Sequence, residues 1–234
     1  MMFSNIYRHD QVDSTNVIAK KLPYNSVAIA DAQTKGKGRF ERGWSSGKGG
    51  IYLSIVLKTT TNTIQHYTFI AALAVFKALY PLTNKSKIKW PNDILINRKK
   101  VCGILTENVF FKDSKKSIIG IGINTNNMLP KTLEKTATTL LKETNKKINN
   151  KKIINSILKN IEFYIQTYNQ HGFLTIKKEW LKNADLVGQK LRIEMINKTI
   201  FGVGAGVDDQ CRLLVKTTDD KIVKVIEGDM FYQS

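Results

Sequence analysis

A succession of short apolar runs, each delivered into a polar or glycine-bearing turn, constrains this chain more than any other feature. Ser26 to Ala32 (Ser-Val-Ala-Ile-Ala-Asp-Ala) reads as a buried strand that ends at Gln33. Ile51 to Leu57 is a second strand, entered through Gly47, Gly49 and Gly50. Lys87 to Ile96 has a strand pattern interrupted by Trp90-Pro91, and proline denies the ladder a donor, so this is a bend or an edge. Ser117 to Asn126 is another strand, and its Gly120 and Gly122 mark close approach by a ligand or another stretch of backbone. Helical spacing covers Asn62 to Leu79, where Pro81 follows, and Asn149 to Tyr168, where Gly172 follows. A shorter helix runs from Leu174 to Leu181, and Asp13 or Ser14 is a natural N-cap for one that begins near Val17. The expected fold is α+β, a mixed sheet covered by helices.

The last part changes character. Lys190 to Met195, Thr199 to Val207, Leu213 to Thr217 and Lys221 to Ile226 are short strands separated by turns, the pattern of a small β-barrel of four or five strands. Asn183 to Gly188 is the nearest thing to a linker, which divides the chain into residues 1–185 and 186–234.

The chemistry gathers at the strand ends. Gln33 to Trp44 (Gln-Thr-Lys-Gly-Lys-Gly-Arg-Phe-Glu-Arg-Gly-Trp) is a basic loop whose glycines free backbone N–H groups beside Lys37, Arg39 and Arg42, a setting suited to phosphate. Asn97 to Lys100 reads as a hairpin turn that folds Lys100 back toward Asp93. Asn92, Asp93 and Asn124 fall at bends or strand ends. The formal charge of +18 makes nucleic acid the first partner to consider, but the lysines are spread along the chain and form no reading element. No apolar run reaches the roughly 18 to 20 residues of a membrane span, and no signal peptide opens the chain, so a cytoplasmic location is expected. Cys102 and Cys211 are too few and too far apart for a disulfide framework or a zinc site.

Taken in order, these motifs resemble the biotin protein ligase family: Ser14-Thr15-Asn16, Gln33, Gly36-Lys37-Gly38-Arg39, Arg42, Trp44, Lys89-Trp90-Pro91-Asn92-Asp93, Lys100, Gly103-Ile104-Leu105-Thr106-Glu107 and Gly120-Ile121-Gly122-Ile123-Asn124. The resemblance covers almost the whole chain, including the family's small C-terminal SH3-like barrel. It implies a two-step ligase. Biotin and Mg-ATP give biotinyl-5'-adenylate and pyrophosphate, and the activated carboxyl passes to a lysine of a biotin carboxyl carrier protein or carrier domain. It assigns Lys100 to bridging the biotin carboxylate and the α-phosphate, with Arg39 and Asp93 also catalytic. Biotin is expected at Ser14, Thr15, Asn16, Gln33, Gly36, Lys37, Gly38, Arg39, Lys100 and Gly103. ATP is expected at Arg39, Arg42, Trp44, Lys89, Asn92 and Asn124, with Trp44 near the adenine and Asp93 linked to magnesium.

Two positions depart from the family pattern. Lys37 stands where arginine is usual, and Glu41 where glycine is common, so Glu41 is expected to stiffen the loop or pair with Arg39 or Arg42, and the adenylate to leak faster. Because Ser14-Thr15-Asn16 comes so early, the expectation is a ligase-only type without sequence-specific DNA binding, and with a homodimer as one possible assembly. The alternatives are a lipoate ligase of related scaffold and a basic nucleic-acid-binding module. A lipoate ligase lacks the pairing of Gln-x-x-Gly-x-Gly-Arg with Lys-Trp-Pro-Asn-Asp, and a nucleic-acid-binding module leaves Lys-Trp-Pro-Asn-Asp and Lys100 unexplained.

Overall fold

A computed structural model describes residues 2–59, 65–111 and 114–233. Seven strands form one sheet in the order β1-β2-β3-β7-β6-β5-β4, where β1 is Asn5–Val12, β2 Ser26–Gln33, β3 Ile51–Lys58, β4 Ser86–Lys89, β5 Asp93–Ile96, β6 Lys99–Phe111 and β7 Ser114–Ile123. Only β1 and β2 run parallel; the short helix α1 (Thr15–Lys20) makes the crossover between them. The sheet is therefore mixed, and helices cover it.

Alternation along the strands decides which face does what. In β3, Ile51, Leu53, Ile55 and Leu57 point into the main core with Ile119, Ile121 and Ile123 of β7. Each such side chain, fully buried, contributes about 1.5–3 kcal/mol. That face is capped by α2 (His66–Leu79), α4 (Asn150–His171) and α5 (Phe173–Asn183), which pack on one another. A five-residue helix, α3 (Leu140–Thr144), precedes α4. The opposite face carries Tyr52, Ser54 and Val56 of β3 and Ile118, Gly120 and Gly122 of β7. On this face α1 packs against a small cluster of Ala19, Ala28, Val56 and Ile118.

The C-terminal strands β8 (Lys190–Glu194), β9 (Thr199–Val207), β10 (Leu213–Lys216), β11 (Ile222–Val225) and β12 (Asp229–Tyr232) form an antiparallel sheet in the order β11-β10-β9-β8-β12. Its inner residues, among them Leu191, Ile193, Leu213 and Met230, join the same buried cluster as the large sheet and its helices. The Trp90 indole N–H donates to the Cys211 carbonyl at 3.0 Å across that contact. Both cysteines are buried free thiols, and burial pushes each thiol well above its ordinary range.

Several expectations are amended. β1 had no apolar pattern to announce it: Asn-Ile-Tyr-Arg-His-Asp-Gln-Val is mostly exposed, and it pairs on one side only. Polar and charged residues on such an edge discourage pairing with other chains. Ser14 does occupy the N-cap of α1, but its side chain makes no capping bond, and Asp13 accepts instead from Thr34 Oγ1 and Lys35 Nζ. For the helix expected from Asn62, residues 62–64 lie outside the described residues; from His66 onward it is apolar almost all round because sheet, α4 and α5 enclose it. β12 is a fifth C-terminal strand that the sequence pattern left unplaced.

His66 joins four parts of the molecule. Its ring stacks on Phe173 at 3.8 Å between centroids, Nδ1 lies 2.9 Å from the Tyr168 hydroxyl and Nε2 lies 2.9 Å from the Asp209 carbonyl. A carbonyl can only accept, so Nε2 carries the proton and Tyr168 donates to Nδ1. Burial, partly offset by Asp209, lowers the His66 pKa below 6.5. The unfolded chain then binds the proton first, so stability is fully present above about pH 6.5 and is lost as pH falls through the lower folded value. The expected result is a Tm that declines below that pH in the wild type and declines less in His66→Phe, measured by thermal melts from pH 7.5 to 5. At pH 7.5 the variant should be less stable by about 1–2 kcal/mol, for two lost hydrogen bonds.

Candidate active site

Glycine floors the site. Gly103 of β6 and Gly122 of β7 pair directly across the two strands, on the face turned away from the helices. The Trp44 indole lies over them: a Cβ at Gly122 would sit 2.4 Å from Trp44 Nε1, and one at Gly103 would sit 3.0 Å from Cζ3. At Gly120, two residues along, a Cβ would meet Asn16 Oδ1 at 2.3 Å. The close approach expected at these glycines is made by side chains, Trp44 and Asn16. Above this floor opens a cavity of about 870 Å³, within the range of nucleotide and cofactor sites.

One wall is the β5–β6 hairpin. Asn97 and Arg98 both adopt positive φ (50° and 65°), the geometry of a tight two-residue turn. The turn brings Lys100 Nζ to 2.6 Å from Asp93 Oδ1. Lys100 is also clamped by its backbone, donating to the Thr136 carbonyl and accepting from Thr138 N, both at 2.9 Å. Before the hairpin, Asn92 and Ile104 exchange bonds: Asn92 Nδ2 donates to the Ile104 carbonyl at 2.6 Å, and Ile104 N donates to the Asn92 carbonyl at 2.9 Å. Lys89 lies behind. Burial lowers its pKa, Asp93 opposes that, and Lys100 adds to it. Asp93 is thus the anion that two ammonium groups share.

The basic loop forms a second wall. It closes on itself through Gly38 N to the Arg42 carbonyl (2.7 Å) and Trp44 N to the Gly36 carbonyl (2.8 Å). Phe40 and Glu41 both take left-handed backbone (φ 54° and 55°), which costs a non-glycine residue about 1 kcal/mol or more. Arg39 and Arg42 flank the Phe40 ring at 4.7 and 5.6 Å. Glu41 pairs with Lys37 at 2.8 Å and not with either arginine, because at i and i+4 across the turn the lysine is the cation within reach. Burial works against the charge of Arg39, and Asp229, Asp93 and Glu227 counter it.

At the third side, α1 presents a polar cluster. Gln33 Oε1 accepts from Thr15 N at 2.8 Å and from Thr15 Oγ1 at 3.1 Å, while its Nε2 donates to Ser46 Oγ at 2.9 Å. Asn16 donates to Glu107 at 2.6 Å and accepts from Ser54 Oγ at 2.6 Å. Glu107 is held below its ordinary range: burial opposes this, but the bonds from Lys20 and Asn16 outweigh it.

Of the residues singled out from the sequence, Ser14, Thr15, Asn16, Gln33, Lys37, Gly38, Arg39, Arg42, Trp44, Lys89, Asn92, Asp93, Lys100, Gly103 and Asn124 all border the cavity. Gly36 does not. A Cβ there would meet Ser46 Oγ at 2.5 Å and the Trp44 carbonyl at 2.6 Å, so its glycine serves the packing of the loop. Sequence reasoning missed two stretches of wall: Leu129, Leu133, Thr136 and Ala137 after β7, and Gly228 to Gln233 around β12. Each brings a single charged residue to the cavity, Lys135 in one and Asp229 in the other, and neither has a charged run or glycine-rich motif, though the apolar spacing of Leu129 and Leu133 beside Pro130 was a signal available to be read. Among the described residues, no cluster of three or more His, Cys, Asp or Glu could hold a metal alone.

With this geometry in view, comparison with known proteins is informative. Residues 8–124 match the model of the Biotin/lipoate A/B protein ligase family, and residues 187–232 match the Biotin protein ligase C terminal domain. The Bifunctional ligase/repressor BirA of Bacillus subtilis is 36% identical over 98% of this chain and 74% of its own length. The Biotin--[acetyl-CoA-carboxylase] ligase of Mycobacterium tuberculosis is 28% identical over 88% of this chain and 78% of its own. The structure of the biotin protein ligase from Aquifex aeolicus in complex with biotin and ATP superposes with a TM-score of 0.87 at 31% identity, covering 99% of each chain. The chain belongs to the biotin protein ligase family.

The glycine floor is directly testable. Gly122→Ala is expected to displace the Trp44 indole and change tryptophan emission, with little change in melting temperature because β7 keeps its ladder. The same substitution in a Trp44→Phe background should leave emission unchanged.

Proposed function

We propose that this chain joins biotin to ATP as biotinyl-5'-adenylate and then transfers the biotinyl group to a lysine of a carboxylase carrier domain. The observation that carries the reading is the convergence of Lys100, Lys89, Arg39 and Arg42 on one cavity, with Lys100 fixed 2.6 Å from Asp93. In the first step a carboxylate oxygen attacks the α-phosphorus and the bond to the β-phosphate oxygen breaks, releasing pyrophosphate. Two anions must approach, so fixed cations at the point of attack lower the barrier. Lys100 fills that role: hairpin, ion pair and backbone clamp hold its ammonium in place, so little reorganisation is needed. Arg39, Arg42 and Lys89 hold the remaining phosphate charge.

Thr15, Gln33 and Ser14 face the biotin end, where amide and hydroxyl groups suit a ureido ring that both donates and accepts. Asn16, committed to Glu107 and Ser54, shapes that end through its packing on Gly120. Leu129, Leu133 and Ala137 offer the apolar slot a purine requires, with Trp44 beside it. In the second step the acceptor lysine nitrogen attacks the acyl carbon, AMP leaves, and Asp93 is placed to take the proton.

Magnesium fits as an ion that arrives on the ATP phosphates. Asp93 and Asp229 are the carboxylates on the cavity wall, both oxygens of Asp229 are taken by Arg42, and Mg²⁺ characteristically takes one or two carboxylates together with substrate phosphates. When bound it shields phosphate charge, and Asp93 is the residue that would hold it. We further divide the chain at residues 185 and 186 and place it in the cytoplasm. No helix among the described residues is long and apolar enough to cross a membrane.

The test is a carrier domain incubated with the protein, Mg-ATP and either biotin or lipoate, read by the mass of the carrier. Biotin addition by the wild type, with Lys100→Ala slower by about 10²–10³-fold, is expected; lipoate addition, or an undiminished variant, would overturn the reading. Separately, Lys37→Arg is expected to lengthen the lifetime of enzyme-held adenylate severalfold, measured by filter retention of labelled adenylate, since a planar fork replaces a point charge already engaged by Glu41.

A further inference from the structure

One edge strand faces four of the cations described above. Across β12 and the residue before it, the Gly228 carbonyl lies 3.4 Å from Arg39 Nη1 and the Asp229 carboxylate takes both Arg42 nitrogens, at 3.1 and 2.5 Å. The Phe231 ring has Lys89 Nζ 5.5 Å from its centroid, and the Tyr232 ring has the Arg98 guanidinium at 3.8 Å. Arg98 is further tied to Asp185 at 2.6 Å, at the entry to the C-terminal sheet. The four cations come from three separate places: the basic loop, the end of β4 and the tip of the β5–β6 hairpin.

Among the described residues, the carboxylate that hydrogen-bonds the Arg42 guanidinium is Asp229 of the C-terminal sheet, not one from the large sheet. The Arg42 side chain is mostly exposed, and whereas Thr34 and Lys35 are tied to Val12 and Asp13, the backbone bonds from Gly36 to Trp44 are within the loop. The two-point contact with Asp229 is the planar fork-to-carboxylate geometry that gives direction as well as attraction. Asp229 is in turn held below the ordinary carboxylate range, first by the bond from Arg42.

We propose that Asp229 is a positioning residue for the nucleotide: it latches the Gln33–Trp44 loop to the C-terminal sheet so that Arg39 and Arg42 face the cavity before ATP arrives. The latch is a feature of the fold; its effect on ATP rests on the function proposed above. Asp229 touches no reacting atom, and it acts through the loop.

The loop carries four trypsin-sensitive positions, Lys35, Lys37, Arg39 and Arg42, so limited proteolysis reads the latch without any assay of activity. Asp229→Asn is expected to speed cleavage within Gln33–Trp44 and to raise KM for ATP by about fivefold, the equivalent of about 1 kcal/mol for a partly exposed pair, with the KM for biotin unchanged. Asp229→Glu should restore much of the protection. The exchanged pair Arg42→Asp with Asp229→Arg should recover protection at the retained sites Lys35, Lys37 and Arg39 while ATP affinity stays low, because the phosphate-facing charge is gone. Unchanged cleavage in Asp229→Asn overturns the latch. Faster cleavage with an unchanged KM for ATP overturns the positioning role. A wild-type protein that modifies no carrier, yet shows the cleavage difference, fails the proposed function and leaves the latch standing.

Discussion

A lysine ammonium 2.6 Å from a carboxylate in the wall of a cavity is stable only if each charge is held for the other. Much of the catalytic face follows from meeting that condition for Lys100 and Asp93. The tight turn at Asn97-Arg98 sets the separation of the two strands, the backbone clamp from Thr136 and Thr138 sets the height of Lys100, and the bonds between Asn92 and Ile104 set the bend from which Asp93 emerges. Lys89 then adds a second cation to the same anion, and its desolvation is tolerated because Asp93 is near. The site is charged in advance, and the protein supplies only one carboxylate between two ammonium groups. An incoming anion completes the balance.

The excess of positive charge over the chain as a whole has a different character. Most lysines lie on exposed positions, such as Lys151, Lys152 and Lys159 on the outer side of α4, where water and salt screen them. The cavity cations are set apart by convergence: Arg39, Arg42, Lys89 and Lys100 border one space around Asp93 and Asp229. Geometry, and not the sum of charges, separates the two populations.

Much of this was legible in the sequence. The strands at Ser26, Ile51 and Ser117, the interruption at Trp90-Pro91 and the return of Lys100 to Asp93 all follow from local patterning, since period and turn chemistry are short-range signals. What stayed hidden was long-range or negative in character. β1 is polar because it is an edge, so its strand identity comes from pairing with β2 and not from its own residues. β12 contributes wall through its place beside β8, which no local pattern encodes. Glu41 was expected to engage an arginine and engages Lys37, because the left-handed backbone at Phe40 and Glu41 turns it that way. Gly36 was read as ligand contact and is required by the packing of Ser46 and Trp44.

The alternation of the sheet has a consequence for how substitutions distribute. In β2, β3 and β7 the odd-numbered residues Val27, Ile29, Leu53, Ile55, Ile119 and Ile121 belong to the helix-side core, and the even-numbered Ala28, Ser54, Gly120 and Gly122 look the other way. In β6 the sense inverts from Cys102 onward, with Cys102 and Ile104 in the core and Gly103 under Trp44, while the register shift opposite Ile94 and Leu95 leaves Val101 in the core and Lys100 on the cavity. Residue parity therefore sorts a mutational scan of these strands into two phenotypes. One parity, together with the small Ala28, Val56 and Ile118 cluster, governs how much folded protein a cell accumulates, and the glycine positions of the other govern what each folded molecule can do.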